Sequence, residues 1–203
     1  MSSSVHADKK QLRKSLLSHQ KSLPDHYIET AGKRIEEYIL ASPLYQQAES
    51  IFVYVSMPEE PSTSRIIQAA LEDGKRVCVP KCWGKEMLAV RISCVDQLIP
   101  GAYGIPEPQD FSDTITADGL DLIIVPCVAA SPDGRRLGHG AGYYDRFLSG
   151  KHGKTVCLCF EKMLCSEIPM NEYDCFMDCV VTESMAFFLQ QGPECLPVSG
   201  RSL

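Results

Sequence analysis

The stretch "LDLIIVP" (120–126) sets the reading of the fold. Leu122 to Val125 is apolar on both faces of an extended chain, as in a strand covered by other elements on each side. Other short runs share its β-branched and aromatic character: "SIFVYVS" (50–56), "KRVCVP" (75–80), "MLAVRIS" (87–93), "TVCLCF" (155–160) and "CVVT" (179–182). Between them lie helical patterns. Residues 7–21 and 24–41 read as two helices broken at "SLP". In the second, Ile28, Ala31, Ile35 and Ile39 recur on one face, Pro24 suits the first turn and Pro43 restricts the chain beyond the end. "STSRIIQAALEDG" (62–74) carries capping Ser and Thr and a terminal Gly, so it reads as a helix. A last helix is expected from about Glu183 to Gln190. Strands alternating with helices give an α/β class with a mostly parallel central sheet flanked by helices. We expect a single domain over 1–190 and a flexible tail over 191–203.

Composition narrows the function. The chain has 203 residues, of which 44% are hydrophobic and 23% charged, as in a globular protein of water. A net charge of -6 argues against a general affinity for nucleic acid or anionic membranes, while leaving room for local basic patches. "MSSSVHADKKQLRK" (1–14) lacks the apolar run of a secretory signal, and the apolar stretch 122–130, broken by Pro126, is too short to span a bilayer. A cytoplasmic location is expected. The ten cysteines include no Cys-x-x-Cys, and several sit inside apolar runs as small hydrophobes; neither a disulfide framework nor a zinc knuckle is expected.

The chemistry is concentrated in "RRLGHGAGYYDRF" (135–147). Gly138, Gly140 and Gly142 alternate, and glycine lets backbone N–H groups face a ligand closely, while "YYDRFL" can begin a helix. Arg135, Arg136, Arg146, Lys151 and Lys154 cluster nearby in an acidic chain. The stretch is neither a Walker A loop nor a dinucleotide fingerprint. On glycines alone, a hairpin with "SPDG" as its turn serves as well as a phosphate nest. Asp145 would repel a phosphate unless a cation such as Mg²⁺ lies between them; otherwise it is an ordinary helix-start aspartate.

Taken together, these segments resemble the 5-formyltetrahydrofolate cyclo-ligase (5,10-methenyltetrahydrofolate synthetase) family. "GRRLGHGAGYYDR" after "LIIVP" is similar to that family's signature, and "KKQLR" (9–13), "YVSMPEEPST" (54–63), "GAYGIPEP" (101–108) and "IPMNEYDCFMDCVVTE" (168–183) match further segments in order, over roughly residues 7–186. The resemblance implies a NagB/RpiA/CoA-transferase-like fold and ATP- and Mg²⁺-dependent closure of 5-formyltetrahydrofolate to 5,10-methenyltetrahydrofolate. It implies a monomer acting on small molecules, with no nucleic-acid or membrane partner.

By the same resemblance, Lys9, Lys10, Gln11, Leu12 and Arg13 contact ATP, with Arg136, Leu137, Gly138, His139, Gly140, Ala141, Gly142, Tyr143 and Tyr144. Arg136, His139 and Tyr143 act in catalysis. Val55, Met57, Glu60 and Tyr103, with 139–143, hold the folate, and Asp145 and Asp174 ligate the metal. Read without it, Lys9 and Arg13 are a solvated basic helix face, Asp174 a loop aspartate and Glu60 a surface charge beside Pro61. The chain departs from the family where Pro-Gly-x-Ala-Phe-Asp becomes "PCVAAS" (126–131): Cys127, Ala130 and Ser131 replace Gly, Phe and Asp, a change expected to reshape the pocket wall. The alternatives to the enzyme are a non-catalytic folate- or nucleotide-binding relative and a sugar-phosphate enzyme of similar architecture.

Overall fold

A computed structural model of the chain describes residues 2–101, 104–149, 153–189 and 193–197. The first elements are helices α1 (Ser2–Gln20), α2 (Asp25–Ala41) and α3 (Pro43–Gln47), strand β1 (Ser50–Val53), helix α4 (Ser64–Glu72), then strands β2 (Arg76–Trp83) and β3 (Glu86–Ile92). Short strands β4 (Leu98–Pro100), β5 (Pro106–Pro108) and β6 (Thr114–Ile115) precede β7 (Leu122–Val125). A hairpin of β8 (Ala129–Ala130) and β9 (Arg136–Leu137) leads to helix α5 (Tyr143–Leu148). Strands β10 (Lys154–Leu158), β11 (Cys179–Val181), β12 (Met185–Leu189) and β13 (Pro193–Pro197) complete the order.

The main sheet runs β13-β12-β11-β10-β7-β1-β2-β3-β6. Its centre is parallel: β7 pairs with β1 and with β10, β1 with β2, and β10 with β11. As its apolar run requires, β7 lies inside, with Leu122 to Val125 almost wholly removed from water. Burying each such side chain contributes about 1.5–3 kcal/mol. Phe52 of β1 meets the rings of Phe147 and Tyr144 from α5 at 4.9 and 6.4 Å. Helix α4 packs on β1 and β2 through its apolar stripe, and α2 packs on α4. Ala31, Ile35 and Ile39 are the buried face of α2, as their spacing requires. Pro43 does more than close α2: it opens α3, where Ser42 Oγ accepts the Tyr45 N–H at 3.3 Å.

Strand order locates the ligand site. From β1 the chain moves outward to β2 and β3, then returns to the other side of β1 for β7, β10 and β11. Where the direction reverses, the connections leaving the carboxyl ends of neighbouring strands diverge and open a crevice. The segment after β1 (55–60) and the hairpin and glycine loop after β7 both leave at that point.

Two stretches differ from expectation. Residues 183–190 form no helix; Met185–Leu189 is β12, antiparallel to β11. Thr182 Oγ1 accepts the N–H groups of Ser184 (3.3 Å) and Met185 (3.0 Å), closing a tight turn that sends "MAFFL" back along the sheet. Of residues 191–203, expected as a flexible tail, 193–197 pair with β12 and the others lie outside the described residues. Among the described residues no helix is long and apolar enough to cross a membrane.

"SPDG" does form the turn of the β8–β9 hairpin: Gly134 N–H donates to Ser131 O at 2.9 Å, and Gly134 adopts φ +84°. A methyl group there would lie 2.7 Å from Met177 O. Gly134→Ala is expected to lower stability by about 1–3 kcal/mol through the left-handed backbone alone, read as a lower urea midpoint at unchanged slope.

Candidate active site

The glycine loop between β9 and α5 is the floor of a cleft of about 1410 Å³. Gly140 and Gly142 have φ of +105° and +72°, a conformation that side chains rarely adopt. Each of the three alternating glycines also lies against a guanidinium. A Cβ on Gly138 would sit 3.0 Å from Arg136 Nη1, one on Gly140 3.2 Å from Arg13 Cζ, and one on Gly142 2.7 Å from Arg146 Nη1. The left-handed backbone is what requires glycine at 140 and 142, while a methyl group at any of the three would crowd the end of an arginine side chain.

Each arginine is anchored. Arg136 is buried; its Nη2 donates to Asp145 Oδ1 at 2.8 Å, and its guanidinium lies 5.4 Å from the centre of the Tyr144 ring. Burial works against that charge and Asp145 more than offsets it, holding the Arg136 pKa above its usual value. Arg136 Nε is buried without a hydrogen-bond partner. Arg13 Nε donates to Gly138 O at 2.7 Å, tying α1 to the loop. Arg146 donates to Lys85 O (2.6 and 3.0 Å) and Ala141 O (3.1 Å), while Tyr143 Oη donates to Gly84 O at 2.9 Å, so the β2–β3 turn is drawn onto the cleft rim.

On the other side, Lys9 is buried and its Nζ is ion-paired with Asp174 Oδ2, which also accepts the Asn171 N–H at 2.6 Å. Lys9 and Asp174 are 165 positions apart, yet meet at the cleft wall. His139 stands on the lip; partial burial and the charges of Arg13 and Arg136 lower its pKa, keeping the imidazole neutral at physiological pH. Asp145 and Asp174 are oxygen donors suited to a hard divalent cation. Among the described residues no group of three or more His, Cys, Asp or Glu could hold a metal, so further oxygens must come from ligand and water, the usual mode for Mg²⁺. The site fits a metal that arrives with a polyphosphate.

The second arm of the cleft is less polar, lined by Met57, Pro80, Met87 and Ile105, with Cys82 and Glu107. Glu107 went unread in the sequence although it lies in "GIPEP". It is buried, accepts from Lys81 Nζ at 3.1 Å and from Cys82 N at 3.3 Å, and packs where a Gly101 side chain would otherwise be. Only the acid within a segment already matched to the family pointed to it.

The expected site residues separate into groups. Lys9, Arg13, Met57, Leu137, Tyr144, Asp174, Asp145, Arg136 and 138–143 line the cleft. Lys10 and Gln11 are exposed and outside its lining, and Leu12 packs on Ala129, Leu137 and Ile168. Val55 is half-buried behind Met57 in sequence and does not line the cleft. Tyr103 lies outside the described residues, as does Lys151. Arg135 points away, donating to Ile168 O at 3.2 Å and pairing with Asp133 at 3.0 Å. Cys127, Ala130 and Ser131 are buried and none lines the cleft, so the three positions that depart from the family pattern lie in the core. The described cysteines are free thiols, and burial pushes Cys78 and Cys179 up to about 12, away from reactivity.

Glu60 is no surface charge. It is buried, its Oε2 accepts the Met57 N–H at 3.0 Å, and burial raises its pKa to about 7 despite that bond. A raised carboxyl pKa stabilises the fold below the unfolded value near 4.5, and that contribution is lost as pH rises through about 7. Glu60→Gln is therefore expected to gain stability over wild type between pH 5 and 8, on the order of 3 kcal/mol across the window, in urea titrations.

Comparison with known proteins shows which family the chain resembles. The 5-formyltetrahydrofolate cyclo-ligase family matches over residues 5–183. A probable 5-formyltetrahydrofolate cyclo-ligase of Caenorhabditis elegans is 34% identical over 197 residues, covering 88% of this chain and 93% of that one. Its Schizosaccharomyces pombe counterpart is 32% identical over 192 residues, covering 86% and 94%. Among solved structures, 5,10-methenyltetrahydrofolate synthetase of Aquifex aeolicus superposes with a TM-score of 0.79 at 26% identity, covering 96% of this chain and 95% of that one. The Mycoplasma pneumoniae synthetase shares the fold, with a TM-score of 0.69 at 18% identity over 87% of this chain and 99% of that one.

Proposed function

The chain belongs to the 5-formyltetrahydrofolate cyclo-ligase family, and on that premise we propose that its cleft closes 5-formyltetrahydrofolate to 5,10-methenyltetrahydrofolate at the expense of MgATP. The observation that carries this reading is the glycine loop ringed by Arg136, Arg13 and Lys9, with the carboxylates of Asp145 and Asp174 beside it. A formyl oxygen leaves poorly as hydroxide. In the proposed sequence it accepts the γ-phosphoryl group as the bond to ADP breaks; N10 of the same folate then bonds to the formyl carbon, the carbon–oxygen bond breaks and phosphate leaves. Such chemistry needs positioning and charge neutralisation and no protein nucleophile.

Each residue then has a task. Loop N–H groups, Arg13 and Lys9 take the polyphosphate, and Arg136 neutralises charge on the phosphoryl group in transfer. Asp145 and Asp174 are the residues that would hold Mg²⁺, which supplies charge neutralisation between phosphate oxygens when bound. The ion pairs Arg136–Asp145 and Lys9–Asp174 keep the ligand-free site balanced, and a metal–phosphate ligand can meet both halves of each pair. His139, held neutral, can accept the proton that N10 sheds. Tyr143, tied to Gly84 O, holds the rim over the reacting groups. The pterin and benzoyl rings take the less polar arm, with Met57 and the Glu60 segment at its side. The reading extends to a cytoplasmic monomer of one domain, with no nucleic-acid or membrane partner.

The test is direct. Protein, MgATP and 5-formyltetrahydrofolate are mixed and the methenyl product is followed by its near-ultraviolet absorbance, with ADP measured in parallel. Product with equimolar ADP is expected; absence of both would overturn the reading. Asp145→Asn is expected to lower turnover by about 100-fold or more while folate binding persists, and unchanged turnover would remove Asp145 from the metal role. The acid limb of the rate profile should fall below the usual imidazole value of 6.5, since the His139 pKa is lowered.

A further inference from the structure

We propose that Glu107 is a positioning residue for the folate: its carboxylate fastens the β4–β5 hairpin to the edge of β2 and so holds one wall of the less polar arm in place. This rests on the reading of the cleft given above. The hairpin lies apart from the main sheet, its two strands pairing with each other. Half of its paired residues, Pro100, Pro106 and Pro108, have no N–H to offer a further strand. Strand β2 has the complementary deficit. Its register with β1 ends at Phe52↔Cys78, yet the strand runs on to Trp83. Pro80 leaves no donor there, but Cys82 does, and Glu107 Oε1 accepts that N–H at 3.3 Å while Oε2 accepts Lys81 Nζ at 3.1 Å. One side chain between two prolines thus does what a neighbouring strand would do.

A simpler packing would serve stability as well. Glu107 is only 5% exposed, and replacing a buried ion pair by apolar side chains is often neutral or stabilising. What apolar contact does not supply is direction. Two oxygens bound to successive residues of β2 fix both the distance and the orientation of 105–108. Gly101 provides the room: a Cβ there would lie 2.6 Å from Glu107 Oε2 and 2.8 Å from its Cβ. Ile105 and Glu107 line the cleft together with Pro80, Cys82 and Met87 of the sheet, so a slip of the hairpin would move that wall. The phosphate end has separate anchors, with Arg13 on Gly138 O, Lys9 on Asp174 and Arg136 on Asp145. Folate and nucleotide affinities should therefore separate when Glu107 is disturbed.

The experiment titrates wild type, Glu107→Ala, Glu107→Gln and Gly101→Ala calorimetrically with 5-formyltetrahydrofolate alone and with MgATP alone, and measures both KM values in the absorbance assay. Glu107→Ala is expected to weaken 5-formyltetrahydrofolate by about 10- to 100-fold, as for a site displaced by about an ångström, and to raise its KM alike. MgATP affinity and the KM for ATP should not change. Gly101→Ala, which keeps the carboxylate but crowds it, should show the same selective loss. Glu107→Gln keeps an acceptor for the Cys82 N–H and should stay near wild type. Unchanged folate affinity in Glu107→Ala would overturn the proposal, as would parallel loss of both ligands, which would make Glu107 a general support of the fold. A loss in Glu107→Gln as large as in Glu107→Ala would also overturn it, since the ligand would then be reading the charge and not the anchored wall. If Glu107→Ala does not fold, Gly101→Ala carries the comparison, and unchanged or parallel affinities there overturn the proposal. If wild type binds no 5-formyltetrahydrofolate, the reading of the cleft itself falls and the role of Glu107 with it.

Discussion

Three guanidinium groups resting on three alternating glycines form the constraint on which the rest of the structure depends. Arg136 comes from the hairpin, Arg13 from the N-terminal helix and Arg146 from α5, and each lies close against a different glycine. Arg13 reaches Gly138 O across 125 positions of chain, and Arg146 fastens the β2–β3 turn through Lys85 O. The loop is thus a junction where the N-terminal helix, the central hairpin and the sheet edge are tied to one backbone segment. Its positive charge accumulates because the partners lie apart in sequence and converge only when the sheet has formed.

That convergence would be unfavourable without Asp145 and Asp174. A buried guanidinium or ammonium loses hydration and needs a compensating charge and hydrogen bonds. Arg136 finds Asp145 nine positions along the chain, and Lys9 finds Asp174 across the cleft. Under the proposed function, the arrangement that balances charge here is also the one that would present paired cations and carboxylates to a metal–phosphate ligand. The switch point between β1 and β7 provides the crevice in which those pairs meet.

Much of this was legible along the chain. The apolar runs at 50–53 and 122–125 are buried strands, and the spacing of Ala31, Ile35 and Ile39 gives the buried face of α2. In the glycine-rich region "SPDG" turns the hairpin, as read, and the glycines that follow form the loop between β9 and α5. The stretch 183–190 misled because "ESMAFFLQ" has helix-tolerant residues, while a Thr182 hydroxyl closes a turn and β11 offers an unpaired edge. Glu60 and Glu107 look like surface acids in sequence, because burial of a charged residue depends on what folds over it. Leu12 sits inside a charged segment matched to a ligand site, yet its side chain belongs to a small apolar cluster under α1.

By itself the sequence determined the local physics: which runs are apolar on one face or two, where glycine permits a left-handed backbone, and which side chains can carry charge. Period, capping and backbone sterics act within a few residues, so they can be read in order. The tertiary structure alone decided which arginine rests on which glycine, that Ala130 and Ser131 belong to the core instead of the cleft wall, and that the Glu60 carboxyl titrates near 7. Those outcomes depend on solvent exclusion and on contacts between residues as far apart as Lys9 and Asp174. No local pattern encodes the dielectric around a side chain. It is set by the elements that pack over it.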